Sequence, residues 1–140
     1  MQADVARPTV EDIIAVAEFR AALRRFLRQT ERIARQSGLT PQRYMLLLMI
    51  KGSPSGTEQS TVTELAERLQ LAQSTVTELV SRAEEAGLTE REQSRRDARV
   101  AHLRLTEEGE RRLMQSFTEL AKERNQLAAA FAHLEGGATG

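Results

Sequence analysis

Cysteine is absent from the 140 residues, which excludes disulfide frameworks, zinc–cysteine sites and any thiol-based redox switch. Histidine occurs only as His102 and His133, with no His-Glu-x-x-His pattern or other metal-ligand spacing, so no metal or other cofactor is expected. A Gly-rich phosphate loop, a Ser-centred nucleophile elbow and an acid–base pair are all missing, and no enzymatic activity is expected. Glu84-Glu85 and Glu107-Glu108 read as solvated helix charges. No apolar run approaches the roughly 20 residues that cross a bilayer, and Met1–Pro8 has neither the basic stretch nor the apolar core of a signal peptide. A cytoplasmic location without a membrane partner is the expectation. Excess charge is missing as well: 20 Lys and Arg balance 20 Asp and Glu. That balance stands against a nucleic-acid partner, because phosphate backbones favour a positive surplus. Every cation except Lys51 and Lys122 is arginine, however, the side chain suited to forked contacts with phosphate and guanine.

What is present is helical punctuation. Thr9-Val-Glu-Asp12 reads as a helix start. Ile13, Val16, Phe19, Leu23, Phe26, Thr30 and Ile33 then recur at helical steps until Gly38 closes the segment. Thr40-Pro41 restarts a short apolar helix through Tyr44–Ile50, and residues 52–57 form a loop. Thr61 and Glu64 have capping-box spacing ahead of a third helix whose inner face is Leu65, Ala66 and Leu69. A tight connection, residues 70–72, leads to a fourth helix from Gln73 to Ala86, stopped by Gly87. Residues 88–92 and 100–105 alternate as strands around a polar hairpin loop, residues 93–99. Thr106 caps a last helical segment, with Leu113, Phe117, Leu120, Leu127, Phe131 and Leu134 at near-heptad spacing, a pattern that fits either one helix running straight to about Leu134 or a break into a separate sixth helix.

The implied fold class is mainly α (α+β), a winged helix-turn-helix carrying long N- and C-terminal helices. Residues 10–36 and 106–134 are expected to form a dimerisation region, 40–105 the winged helix-turn-helix, and 135–140 a disordered tail. Two long amphipathic helices offer more apolar face than one small middle domain covers, which argues for a homodimer.

The helix at 73–86 directs Gln73, Ser74, Thr75, Thr77, Glu78, Ser81 and Arg82 outward, a set able to reach phosphates and base edges in a major groove. An ordinary polar helix face would satisfy the same residues. The hairpin loop tilts the balance, because Arg95, Arg96 and Arg99 cluster there around Asp97. A cationic finger beside a helix-turn-helix can enter the neighbouring minor groove. Asp97 is expected to pair with an Arg and fix its direction. Double-stranded DNA carrying a pseudo-palindromic operator is the partner these features imply.

The runs Thr63-Glu-Leu-Ala-Glu-Arg-Leu69, Gln73-Ser-Thr-Val-Thr-Glu-Leu-Val-Ser-Arg82, Glu85-Ala-Gly-Leu88, Arg96-Asp-Ala-Arg99 and Leu103-Arg-Leu-Thr-Glu-Glu-Gly109 resemble the MarR family of multiple-antibiotic-resistance-type regulators, with a likeness that extends over residues 10–130. The resemblance implies a dimer of winged-helix protomers joined by the first and last helices. It also implies a recognition helix in the major groove, Arg99 in the minor groove, and release of DNA by a small, often phenolic, acid. Without cysteine, the peroxide-sensing mechanism of one branch is excluded. A ligand pocket would draw on Phe19, Arg20, Leu23, Phe26, Arg43, Tyr44, Leu47 and Leu48, residues that a plain core would equally explain. The competing function is a winged-helix protein-interaction module that has lost DNA binding, favoured by neutral charge and by Glu78, Glu84 and Glu85 on the fourth helix.

Overall fold

Thr9 and Asp12 cap each other at the start of the first helix: the Asp12 amide donates to the Thr9 hydroxyl at 3.1 Å, and the Thr9 amide donates to the Asp12 carboxylate at 2.9 Å. A computed structural model describes residues 7–138 of the chain. Its elements are α1 (Val10–Gln36), α2 (Pro41–Lys51), α3 (Val62–Leu69), α4 (Gln73–Glu85), β1 (Thr89–Gln93), β2 (Ala101–Leu105), α5 (Glu107–Glu119) and α6 (Ala121–Ala138). The chain divides into two compact units, one built from residues 31–118 and the other from the segments up to Thr30 and from Glu119 onward. The first includes the winged helix-turn-helix, with the end of α1 and nearly all of α5; the second is helical.

In the winged unit, local chemistry sets the boundaries. Gly38, at φ +75°, ends α1, with its own amide on the Arg35 carbonyl and the Leu39 amide on the Ala34 carbonyl. Gly87, also at +75°, closes α4 by the same pair of bonds, to Glu84 and from Leu88 to Ala83. These are Schellman stops, which need the left-handed conformation glycine adopts freely. Thr61 and Glu64 form the full capping box on α3. The turn into α4 passes through Gln70 at φ +56°, an unusual conformation for a side-chain-bearing residue.

The core of this unit is Leu46 and Ile50 of α2, Leu65 and Ala66 of α3, Val76, Val80 and Ala83 of α4, and Leu103 of β2. The wing is an antiparallel pair in register Thr89 to Leu105 and Gln93 to Ala101. Ser60 adds a bridge on the other side of β2: the Ser60 amide donates to the Leu103 carbonyl at 3.1 Å, and the Leu103 amide returns to the Ser60 carbonyl at 2.8 Å. Arg68 supports the base of the unit by donating to the Met49 carbonyl at 2.8 Å and the Gly52 carbonyl at 3.2 Å.

In the helical unit, Phe19 of α1 meets Phe131 of α6 with ring centroids 6.0 Å apart, tilted at 58°. Ala15 and Ala22 are buried, whereas Val10, Ile13, Ile14 and Val16 are 66%, 60%, 53% and 48% exposed. Leu27 and Phe131 are similarly open.

At the C-terminal end one alternative is settled and one expectation corrected. The last helical segment is broken: it is interrupted at the buried Leu120, giving α5 and α6. No glycine or proline stands near that break, so helical periodicity runs through it undisturbed. The segment beginning at 135 is not a frayed tail through its described part, because α6 continues to Ala138. Residues 139–140 of that expected tail lie outside the described residues.

Candidate nucleic-acid interface

The helix α4 is 13 residues long and buries Val76, Val80 and Ala83. Those three inward positions leave Gln73, Ser74, Thr75, Thr77, Glu78, Ser81 and Arg82 exposed, all seven of the residues the sequence assigns to the outward face. Two of them are not independent. The Arg82 guanidinium donates to Glu78 Oε1 at 2.6 Å, an i,i+4 pair whose side chains are 62% and 64% exposed.

The wing carries five arginines, Arg91, Arg95, Arg96, Arg99 and Arg104, against Glu90, Glu92 and Asp97. Three of the five are held. Arg91 donates to Glu84 at 2.6 Å, and Arg104 reaches Glu90 at 2.8 Å and Glu92 at 3.4 Å. Arg99 is braced by Asp97 through its own amide at 3.0 Å, through Nε at 3.2 Å, and through a guanidinium donor to the second carboxylate oxygen at 3.4 Å. The Arg99 amide first, and then its side chain, hold the Asp97 carboxyl below the usual carboxylate range. The pairing expected for Asp97 is therefore present. The Arg99 side chain nevertheless remains 91% exposed. Arg95 and Arg96 are exposed and form no ion pair among the described residues.

Between the start of α3, the first turns of α4 and the wing lies a cleft of about 320 Å³, lined by Thr61, Thr63, Gln73, Thr77, Arg91 and Arg99 among others. It brings the predicted Gln73, Thr77 and Arg99 together. It also includes Thr61, Thr63 and Arg91, which the sequence reading missed. In the sequence, Thr61 signals only a helix cap, and Arg91 sits within the alternation of a strand.

The family model for the MarR family matches residues 37–100, which begin just after α1 and span α2, the helix-turn-helix and most of the wing. Residues 37–100 form a MarR-family domain. Across the longer chain, AbsC, a MarR family transcriptional regulator from Streptomyces coelicolor, is 21% identical with a TM-score of 0.67, covering 88% of this chain and 82% of its own. Sco3205, a MarR family transcriptional regulator from the same organism solved in complex with DNA, is 24% identical at TM-score 0.65, over 89% and 78%. Wild-type MarR from E. coli, in its apo form, is 18% identical at 0.68, over 96% and 97%. At these identities the likeness shows a shared fold. No curated protein matches the sequence.

The residues suggested for a ligand pocket divide between the two units. Phe19, Arg20, Leu23 and Phe26 lie on the helical unit's part of α1, while Arg43, Tyr44, Leu47 and Leu48 lie on α2 of the MarR-family domain. Tyr44 and Leu47 are core residues, 4% and 0% exposed. Within the winged unit a different cavity, of about 470 Å³, is lined by Glu31, Arg35, Pro41, Gln42, Met45, Leu69, Leu71 and Leu79. Its apolar side chains come from α2 and the helix-turn-helix, spacings that sequence reading assigns to core.

Among the described residues, no group of three or more His, Cys, Asp or Glu could hold a metal ion, and no helix is long and apolar enough to cross a membrane.

Proposed function

We propose that this chain is a sequence-specific DNA-binding transcriptional regulator, a homodimeric repressor that places α4 in the major groove and the wing in the adjacent minor groove. One observation carries the reading: a fully exposed polar face on α4 stands beside an arginine, Arg99, that is braced at its base by Asp97 and open at its tip. A braced guanidinium loses less rotamer freedom on binding than a free one. The fold-level likeness to Sco3205, solved in complex with DNA, supports the assignment. Dimerisation would cover the open apolar positions of the helical unit, and the two reading helices would then address half-sites about one duplex turn apart.

The proposed effector is a small aromatic or phenolic acid. The cavity beside Arg35 has the volume and apolar lining of a small-molecule site, with a cation at hand for a carboxylate. Residues 10–36 and 106–134 are the proposed dimerisation region, and the chain is proposed to act in the cytoplasm without a membrane partner.

Mobility shift with the DNA flanking the chain's own gene, at two salt concentrations, tests the reading. A discrete, salt-sensitive, competitor-resistant complex is expected. Absence of any sequence-selective complex would favour a winged-helix protein-interaction module, to which the acids Glu78, Glu84 and Glu85 on and beside the reading face also point.

A further inference from the structure

We propose that Glu78 and Arg82 together read one C·G base pair, with the Glu78 carboxylate accepting from the cytosine amino group and Arg82 donating to the guanine beside it. This inference rests on the DNA-binding reading and adds the base that α4 selects.

The position of Glu78 comes first. Val76, Val80 and Ala83 define the buried side of α4. Advancing about 100° per residue, Glu78 falls within roughly 20° of the direction pointing straight out of the core, and Arg82 within roughly 50°. The small Ser74 and Ser81 flank that outward line and do not screen it. Glu85 shares that line at the C-terminal end of α4, so a duplex that admits the first two turns of α4 to its major groove meets Glu78 as the long side chain on the outward line.

Chemistry then narrows what Glu78 can face. An ionised carboxylate only accepts hydrogen bonds. Phosphates repel it, as do guanine N7 and O6 and thymine O4, which are acceptors themselves. The major groove offers two donors, the cytosine N4 amino group and the adenine N6 amino group. Adenine sets its N7 acceptor beside the donor, unfavourably for a carboxylate. Cytosine has no such neighbour on its own base.

Arg82 completes the match. Its contact with Glu78 engages only Oε1, so Oε2 stays free to accept from a base. The guanidinium has five N–H donors and commits one of them to Glu78. The pair thus presents an acceptor next to donors. A C·G pair presents the complement, an amino donor next to the guanine O6 and N7 acceptors. The same contact orients the guanidinium before DNA arrives.

Selection from a randomised duplex library tests this, using the full-length protein as wild type, Glu78→Gln, Glu78→Ala and Arg82→Ala. The wild type should enrich a motif with an invariant C·G pair in each half-site. Glu78→Gln should lose that preference roughly tenfold and gain adenine at the same position, because an amide can bond both adenine N6 and N7. Arg82→Ala should weaken selection at the same pair. If every variant enriches the wild-type motif, with affinity merely raised in the Glu78 variants by the lost negative charge and lowered in Arg82→Ala by the lost positive one, Glu78 is a solvated helix charge and the inference is overturned while DNA binding stands. If the wild type enriches no sequence, the DNA-binding reading falls with it. Circular dichroism of each variant guards against misfolding, and both side chains are surface groups whose removal leaves the core untouched.

Discussion

Gly109, in the first turn of α5, lies against the main chain of Leu88 so closely that a Cβ at that position would stand 2.0 Å from the Leu88 carbonyl oxygen. Thr106 reinforces the approach: its amide donates to the Leu88 carbonyl at 3.0 Å, its hydroxyl to the Gly87 carbonyl at 2.6 Å, and the hydroxyl accepts from the Gly109 amide at 3.1 Å. The Leu-Thr-x-x-Gly run after the wing is therefore a joint between the end of α4 and the start of α5. A backbone oxygen cannot swing aside as a flexible side chain can. Gly109→Ala is expected to destabilise the winged unit by about 1–3 kcal/mol, the range for overpacking a well-filled site. Urea unfolding of the two proteins side by side checks this, and unchanged midpoints would show that α5 slides at no expense.

Arg99→Ala is expected to weaken operator binding and to lower the slope of log affinity against log salt by about one unit, if Arg99 neutralises one phosphate. Asp97→Ala separates positioning from charge. Deleting a negative charge next to DNA should by itself strengthen binding. Because Asp97 braces Arg99 through three contacts, the expected net result is weaker binding. A tighter complex for Asp97→Ala, measured by fluorescence anisotropy, would leave the brace without function.

Acid should act through Glu108. Hydrogen bonds first from Arg111 and then from Arg112 lower its carboxyl to about 2 from an ordinary 4.5. A carboxyl depressed in the folded state stabilises fully above its unfolded value and loses that contribution as pH falls toward the folded one. The affected window thus runs from about pH 5 down to pH 2. Glu108→Gln should flatten the stability curve in that window, modestly, since solvent screens an exposed pair. Identical curves for both proteins would rule the group out.

Ile14→Glu on α1 is expected to shift the protein from the proposed dimer to a monomer, because Ile14 is 53% exposed within a run of open apolar side chains that includes Val10, Ile13 and Val16. Sedimentation velocity reads the outcome. A variant that sediments like the wild type would move the dimer surface elsewhere.

Much of the winged unit was legible in the sequence because its boundaries are written in local chemistry. Thr61 with Glu64, Thr40 with Pro41, and glycines 38 and 87 each act through bonds to residues three to five positions away. The outward face of α4 was legible for a similar reason, since the spacing of Val76, Val80 and Ala83 fixes which side faces the core. The break at Leu120 was not, because nothing local interrupts the pattern there and the buried Leu120 itself reads as one more apolar position. The tie between Glu78 and Arg82 was available as an i,i+4 spacing, yet their joint orientation is a property of the folded face. The Gly109–Leu88 joint joins residues 21 positions apart (88 to 109), beyond the reach of periodicity or capping. The cavity beside Arg35 likewise depends on how α1, α2 and the helix-turn-helix stack.

The two-way bridge between Ser60 and Leu103 ties the root of the finger to the main chain that leads into the helix-turn-helix. Thr61, the very next residue, caps α3, and α3 leads through the turn into α4. Tension on β2 is thus transmitted to the helix-turn-helix through two main-chain bonds, whereas the arginine-bearing tip, residues 94–100, lies beyond them and is tied by bonds of its own, from the Ser94 amide to the Val100 carbonyl and from the Val100 amide to the Asp97 carbonyl. On the proposed DNA-binding reading, targets whose grooves differ slightly in width would be met by bending at the fingertip, with the finger root tied to the helix-turn-helix.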